Sequence, residues 1–248
     1  MHAAVGSVVP ARLSVERKFF LAMSTLVLFV VLVGFSRGFY LKSLFPDWEA
    51  ARGTLFYVHG AIFTAWFVLL VVQAALITSG RVRLHMRIGI FGAVLAAGMV
   101  VVGTAAALVA ANRPSGFVGV PVPPLQFLAV PLFDMALFAV FIAIAIAYRR
   151  APATHKRMML IASVSLLTAA FARWPGVHGS GVLVYFGLTD LCFLPIFLWD
   201  RASLGQFHPV TVRATATIVA SQILRLAISG TPFWLGFAKW ATSFAPPP

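Results

Sequence analysis

Acidic side chains are scarce in this chain. Of 248 residues only six are Asp or Glu, and only 10% are charged. That is too little polar surface to keep a domain in water. Cysteine is rarer still: the single Cys192 excludes an internal disulfide and a multi-cysteine metal site. The first residues, MHAAVGSVVPARLSVERK, lack the charged, apolar and cleavage-site order of a removed signal peptide, so the first apolar run is expected to remain as a helix. No H-x-x-x-H pair occurs, and with it the metal and serine arrangement of the seven-helix membrane hydrolases is missing.

What fills the chain instead is apolar bulk, 61% of residues, with a mean hydropathy of +0.96. A hydrocarbon core of about 30 Å takes roughly 20 apolar residues of helix to cross. Seven such runs are found, at about 19–41, 54–78, 86–111, 125–148, 156–173, 181–199 and 209–229. The expectation is an all-α polytopic membrane bundle, a single integral domain over 1–248. Residues 1–18 are read as a cytoplasmic tail and 231–248 as an outer tail, where Trp234, Phe237, Lys239, Trp240 and Phe244 suit a helix lying in the interface. The one long outer loop, NRPSGFVGVPVPPLQ, reads as an ordered, irregular cap or a re-entrant edge.

Basic residues set the orientation. With the N-terminus inside, twelve of the nineteen fall on cytoplasmic segments: Arg12, Arg17, Lys18, Arg81, Arg83, Arg87, Arg149, Arg150, Lys156, Arg157, Arg201 and Arg213. The other seven, Arg37, Lys42, Arg52, Arg113, Arg173, Arg225 and Lys239, are scattered, which favours N-in and C-out in a bacterial inner membrane. The net charge of +13 is therefore read as topology. A nucleic-acid partner would need one basic soluble face, and no soluble domain exists to carry it.

A pattern recurs along the chain. His59 in span two is followed by Arg81, Arg83, His85, Met86 and Arg87. Asp134 in span four is followed by Arg149, Arg150, His155, Lys156 and Arg157. Asp190 in span six is followed by Arg201, His208 and Arg213. This suggests three repeated hairpins after an extra first helix, with the third copy looser because Pro209 follows His208.

Two candidate sites emerge. On the outer side, His59 lies about 8 Å inside the boundary and Asp134 and Asp190 about 13 Å inside, counting 1.5 Å per residue. Gln222 and Arg225, three apart on one face of span seven, approach the same level. His59, Asp134, Asp190, Gln222 and Arg225 thus form a candidate outer polar site, set against the reading that buried ion pairs merely hold helices together. On the inner side His85, His155 and His208 open three successive helices. Three imidazoles could bind a transition metal, and two could ligate a haem iron with Arg87 and Arg157 at its propionates. The competing reading is a basic mouth for anionic lipid headgroups. Met86, Met158 and Met159 read as packing residues, Gln73 as a cross-helix hydrogen bonder. His178 is expected in an exposed loop within reach of His59, and His2 in the N-terminal tail.

The segments HGAIFTAWFVLLVVQAALITSGRVRLHMRIG, THKRMMLIASVSLL and DLCFLPIFLWDRASLGQFHPVTVR resemble a group of multi-pass bacterial membrane proteins with histidine and arginine hairpins, over about three quarters of the chain. More distantly the hairpins are similar to cytochrome b561-like proteins and small assembly factors of terminal oxidases. The resemblance implies haem b or quinone chemistry, within a membrane complex. The two-haem pattern needs histidine pairs at both faces, and here the outer face has only His59, so a second haem is not implied.

Two classes of function stay open. One is a redox or cofactor-handling protein with haem b or a metal on the inner histidines and a quinone or small polar ligand outside. The other is a proton-coupled transporter or sensor using the buried aspartates, with a structural membrane subunit as the remaining possibility.

Overall fold

A computed structural model describes residues 11–50 and 53–245. His2, Arg52 and the far ends of both expected tails lie outside the described residues. The described chain is helical: α1 (Ala11–Gly34), α2 (Thr54–Thr78), α3 (Val82–Asn112), α4 (Pro124–Phe127), α5 (Ala129–Ala147), α6 (Pro152–Val164), α7 (Thr168–Phe171), α8 (Val182–Leu191), α9 (Leu194–Leu204), α10 (Pro209–Ile228) and α11 (Pro232–Thr242). Five stretches are long and apolar enough to cross a membrane: Leu13–Gly34, Thr54–Thr78, Val82–Asn112, Pro124–Ala147 and Val182–Leu204. A sixth is possible if α10 and α11, bent by 95°, count as one. The described chain is thus a helical bundle with five or six stretches able by length and composition to cross a membrane.

Helix boundaries depart from the apolar runs in two ways. α1 begins at Ala11, so residues 11–18 are helical rather than a free tail, and it ends at Gly34 in a π-turn over Ser36–Tyr40. Gly34 is required there, since a Cβ would meet the Ala170 carbonyl oxygen at 2.5 Å. The fifth run is not one rod. α6 passes through a 3-10 segment, Ser165–Leu167, into the single turn of α7.

This broken segment is the centre of the bundle. From Arg157 to Phe171 nearly every side chain is buried, although α6 is among the more polar of the helices. α1, α5, α8 and α10 pack around it, and Trp66 of α2 donates to Ser163 Oγ at 3.1 Å. Apolar side chains of the surrounding helices, such as Ile90, Val94, Val101, Leu183 and Leu198, are left exposed on the outside. Lipid solvates such a surface, whereas polar groups must find partners inside. A polar helix is therefore placed where protein surrounds it.

The bundle has two distinct ends. A basic end gathers the starts of α1, α3, α6 and α10. A capped end is closed by residues 36–50, the 113–123 loop, the 172–181 loop and α11. Trp234 Nε1 donates to the Leu125 carbonyl at 2.9 Å and Asn112 Nδ2 to that of Thr242 at 2.8 Å, which pins α11 across the cap. α11 turns Trp234 and Ala238 inward and leaves Phe233, Trp240 and Phe244 exposed.

Candidate functional site

Beneath the cap lies a cavity of about 220 Å3. Its walls are largely apolar and rich in aromatic side chains, with Phe35, Phe39, Phe56, Phe63, Phe117 and Phe127 among them. Polar lining is sparse and comes from His59, Thr64, Asp134, Thr168, Arg173 and the cap residue Tyr40. Trp48, Glu49, Ala50 and Arg113 border both this cavity and an open depression of about 530 Å3, so they stand at its mouth.

The cap is held by its own chemistry. Lys42 Nζ donates to the carbonyls of Phe45, Pro46 and Trp48 at 3.1, 2.8 and 2.6 Å, tying the end of the loop to its start. Arg37 sits over Phe45 and Trp48, and the His178 ring packs on Trp48 at 4.8 Å. His178 also meets the Ala172 carbonyl through Nδ1 at 3.1 Å, so it is a cap residue rather than a partner of His59. Tyr40 shares a 2.7 Å hydrogen bond with Thr64, and burial raises its phenol above the usual value of 10, keeping it a hydroxyl donor.

The expected outer set divides. Asp134 of α5 accepts from Arg225 Nη1 of α10 at 2.6 Å, and Arg225 also donates to the Val130 carbonyl and to Ser221. His59 lines the same cavity as Asp134, stacked on Phe63 with ring centroids 4.1 Å apart, and its Nδ1 has no hydrogen-bond partner among the described residues. Asp190, by contrast, accepts from Gln222 at 2.9 Å and is not part of the cavity wall. A five-group site is therefore corrected to His59 and Asp134 at the cavity, Arg225 behind Asp134, and Asp190 with Gln222 in a separate helix contact. The reason is rotational. Equal depth along two helices fixes level, but not which neighbour each side chain faces.

The inner set divides as well. His85 and His155 are each the fourth residue of their helix, and their rings lie 6.4 Å apart at 88°. His155 Nδ1 meets the Ala145 carbonyl at 2.8 Å, so it carries the proton and leaves Nε2 bare. In the amide orientation assigned from the hydrogen-bond network, Gln73 donates to His85 Nδ1 at 2.5 Å and accepts from the Gly89 N–H at 3.0 Å. His85 then carries its proton on Nε2. Gln73 is thus the cross-helix hydrogen bonder expected of it.

His208 is elsewhere engaged. It is the N-cap of α10, where its Nδ1 accepts from the Val210 N–H at 3.2 Å. Burial first, then the Arg157 guanidinium, lower its pKa from 6.5 and favour the neutral ring that capping needs. No group of three or more His, Cys, Asp or Glu side chains among the described residues is placed to hold a metal ion. The three-histidine metal set is therefore not assembled. Pro209 explains why: it starts α10 just after the histidine, whereas the other two helices start three residues before theirs, and the ring is turned back onto its own helix.

Arg157 also changes role. It is 1% exposed, and its Nε and Nη2 both donate to Asp200 Oδ1, at 3.0 and 2.5 Å, while Nη1 reaches the Ala153 carbonyl. Asp200 Oδ2 accepts from Thr211 Oγ1 at 2.5 Å and from the His208 N–H at 3.2 Å. With every polar atom of the pair occupied, Arg157 has nothing left for a cofactor propionate. Arg87 is exposed and keeps its freedom. Asp200 was the group missed by sequence reading. Its signal was present, one of six acidic residues in a chain of this hydropathy, but its place at the end of an apolar run disguised it as a boundary residue.

Compared with known proteins, the chain matches no family model, no curated protein and no solved structure.

Proposed function

We propose that the chain is a multi-pass protein of the bacterial inner membrane that binds a flat, mainly apolar small molecule of the quinone class in the cavity at its capped end. The observation that carries this reading is the cavity itself: walls rich in aromatic side chains, few polar groups, and one of those, Asp134, with a carboxylate oxygen unpaired. Ligand pockets for drug-sized molecules run from roughly 300 Å3 upward. A cavity of about 220 Å3 suits a single substituted ring, with any tail left outside. A cationic solute fits less well, because Arg113 and Arg173 line the same space, and of the two acidic residues there, Asp134 and Glu49, Asp134 is already paired with Arg225.

The reading places seven crossings with the N-terminus inside. α6 and α7 form the fifth as a short, fully surrounded segment, and α10 the seventh, with α11 in the outer interface. Reporters fused after residues 79 and 248 should read inside and outside. For ligand binding, the full chain in detergent is titrated with a short-chain benzoquinone or benzoquinol and followed by equilibrium dialysis. Saturable binding near one per chain is expected. Linear, non-saturating partition into the detergent would sink the reading.

A second reading draws on the 6.4 Å separation of His85 and His155 and the bare Nε2 of His155. A haem iron needs only two axial imidazoles, whereas zinc or copper needs more ligands than this pair supplies. Haem ligation would further require Gln73 to turn its amide and return the His85 proton to Nδ1. The absorption spectrum of the purified protein decides it: a Soret band lost in both His85→Ala and His155→Ala supports the haem, and a flat spectrum after haem supplementation removes it.

A further inference from the structure

The wall that Asp134 presents to the cavity has a definite polarity. Its Oδ1 is taken by Arg225 Nη1, while Oδ2 accepts no hydrogen bond from the described residues, and the side chain keeps 13% of its surface exposed. Arg225 is 1% exposed, is bonded to Asp134, Val130 and Ser221, and is not part of the cavity wall, so its donors do not reach a ligand. What faces the space at this point is therefore an acceptor alone. His59 lines the wall contributed by α2, but its unpartnered Nδ1 is buried and does not open on the cavity.

We propose that the cavity selects the reduced, hydroxyl-bearing form of its ligand, a para-hydroquinone, through an O–H to Asp134 Oδ2 hydrogen bond. The inference rests on the quinone-class reading above and adds a direction to it. A hydroquinone has a donor at each end of its ring. One of them satisfies Asp134. A quinone carries only carbonyl acceptors. Placed in the same position it would set an oxygen lone pair against Oδ2, leaving that buried acceptor unsatisfied and costing affinity. Phe63, stacked beneath His59, and the bare Gly103 keep this corner flat; a Cβ at Gly103 would meet Met135 Sδ at 2.5 Å and Phe63 Cζ at 3.0 Å.

The test uses the full chain in detergent under anaerobic conditions, with one short-chain benzoquinone and its hydroquinone as probes. Equilibrium dialysis should give a Kd for the hydroquinone about tenfold to hundredfold lower than for the quinone, the ratio expected for one hydrogen bond to a charged acceptor. Asp134→Asn presents an amide that can donate to a carbonyl, so the ratio should shrink toward one or invert. Equal affinities in the wild type, or a hydroquinone preference that survives Asp134→Asn unchanged, overturn the inference while saturable binding leaves the quinone-class site standing. Absence of saturable binding by either probe removes both. Should Asp134→Asn fail to fold, the wild-type ratio decides alone.

Discussion

Two arginine–aspartate pairs hold this bundle, and they are built on opposite plans. At the basic end Arg157 and Asp200 are 1% and 0% exposed, and both carboxylate oxygens and all three guanidinium nitrogens have partners. At the capped end Arg225 is equally buried but Asp134 is 13% exposed, and one of its oxygens looks into a cavity unpaired. The same two residue types serve as a closed joint in one place and as a half-open acceptor in the other. What separates them is the number of donors around the aspartate. Thr211 and the His208 N–H complete Asp200, whereas aromatic walls surround Asp134.

The comparison predicts unequal costs. Asp200→Ala should be the most damaging substitution, about 3–5 kcal/mol, because it strands a buried guanidinium. A drop in the detergent melting temperature or loss of the folded protein checks it, and a stable Asp200→Ala protein would break the distinction between the pairs. Replacing both partners, Arg157→Met with Asp200→Leu, should recover most of that loss, since a buried pair exchanged for apolar groups of similar volume is often neutral or stabilising. Thermal melts of the double variant beside the single one decide this.

Asp134→Ala should cost less, about 1–3 kcal/mol, because the cavity lets water replace part of the lost contact with Arg225. Its effect should appear instead in ligand binding, measured on the same preparation. If its melting temperature falls as far as that of Asp200→Ala, the capped-end pair is a joint like the other.

The smallest effect concerns pH. The neutral His208 ring caps α10, and its lowered pKa means this contribution is present above pH 6.5 and lost as pH falls through the folded-state value. Melting temperature should decline on acidification through that window, and His208→Asn, which keeps a capping acceptor that does not titrate there, should flatten the slope. An unchanged slope would show that the cap does not sense acid.

Sequence patterning carried the helical build and, of the seven apolar runs it marked, the five that form helical stretches long and apolar enough to cross a membrane, because a hydrocarbon solvent admits so few backbone arrangements. It also placed Asp134, Arg225 and His59 near one level, and the structure brings the first two into contact and sets His59 on the same cavity. It failed on rotation and on breaks. Nothing in the spacing of Asp190 showed that it would meet Gln222 away from the cavity, and nothing in the H-x-R likeness of His85 and His155 showed that His208 would become an N-cap. Of the cap, the 113–123 loop was legible from its Gly and Pro content, but the part over residues 36–50 and 172–181 was not, because Lys42, Trp48 and His178 act through carbonyls and ring faces, which leave no periodic trace. The central position of α6 was invisible for the opposite reason. Its polarity reads as a surface feature until its partners are known.

That position has a consequence in time as well as in space. The chain is made from its N-terminus, and Asp200 follows Arg157 by 43 residues. When α6 leaves the ribosome, the carboxylate that will neutralise its guanidinium does not yet exist, and lipid offers no substitute. The arginine must wait at the headgroup level, its stem snorkelling, until α9 and α10 arrive to enclose it. Assembly of this bundle is then completed from its centre, last. A chain arrested before Asp200 should leave a cysteine placed at Ala162, fully buried in the finished bundle, open to a water-soluble thiol reagent, and the full-length chain should protect it; equal labelling of both would show that α6 settles without its partner.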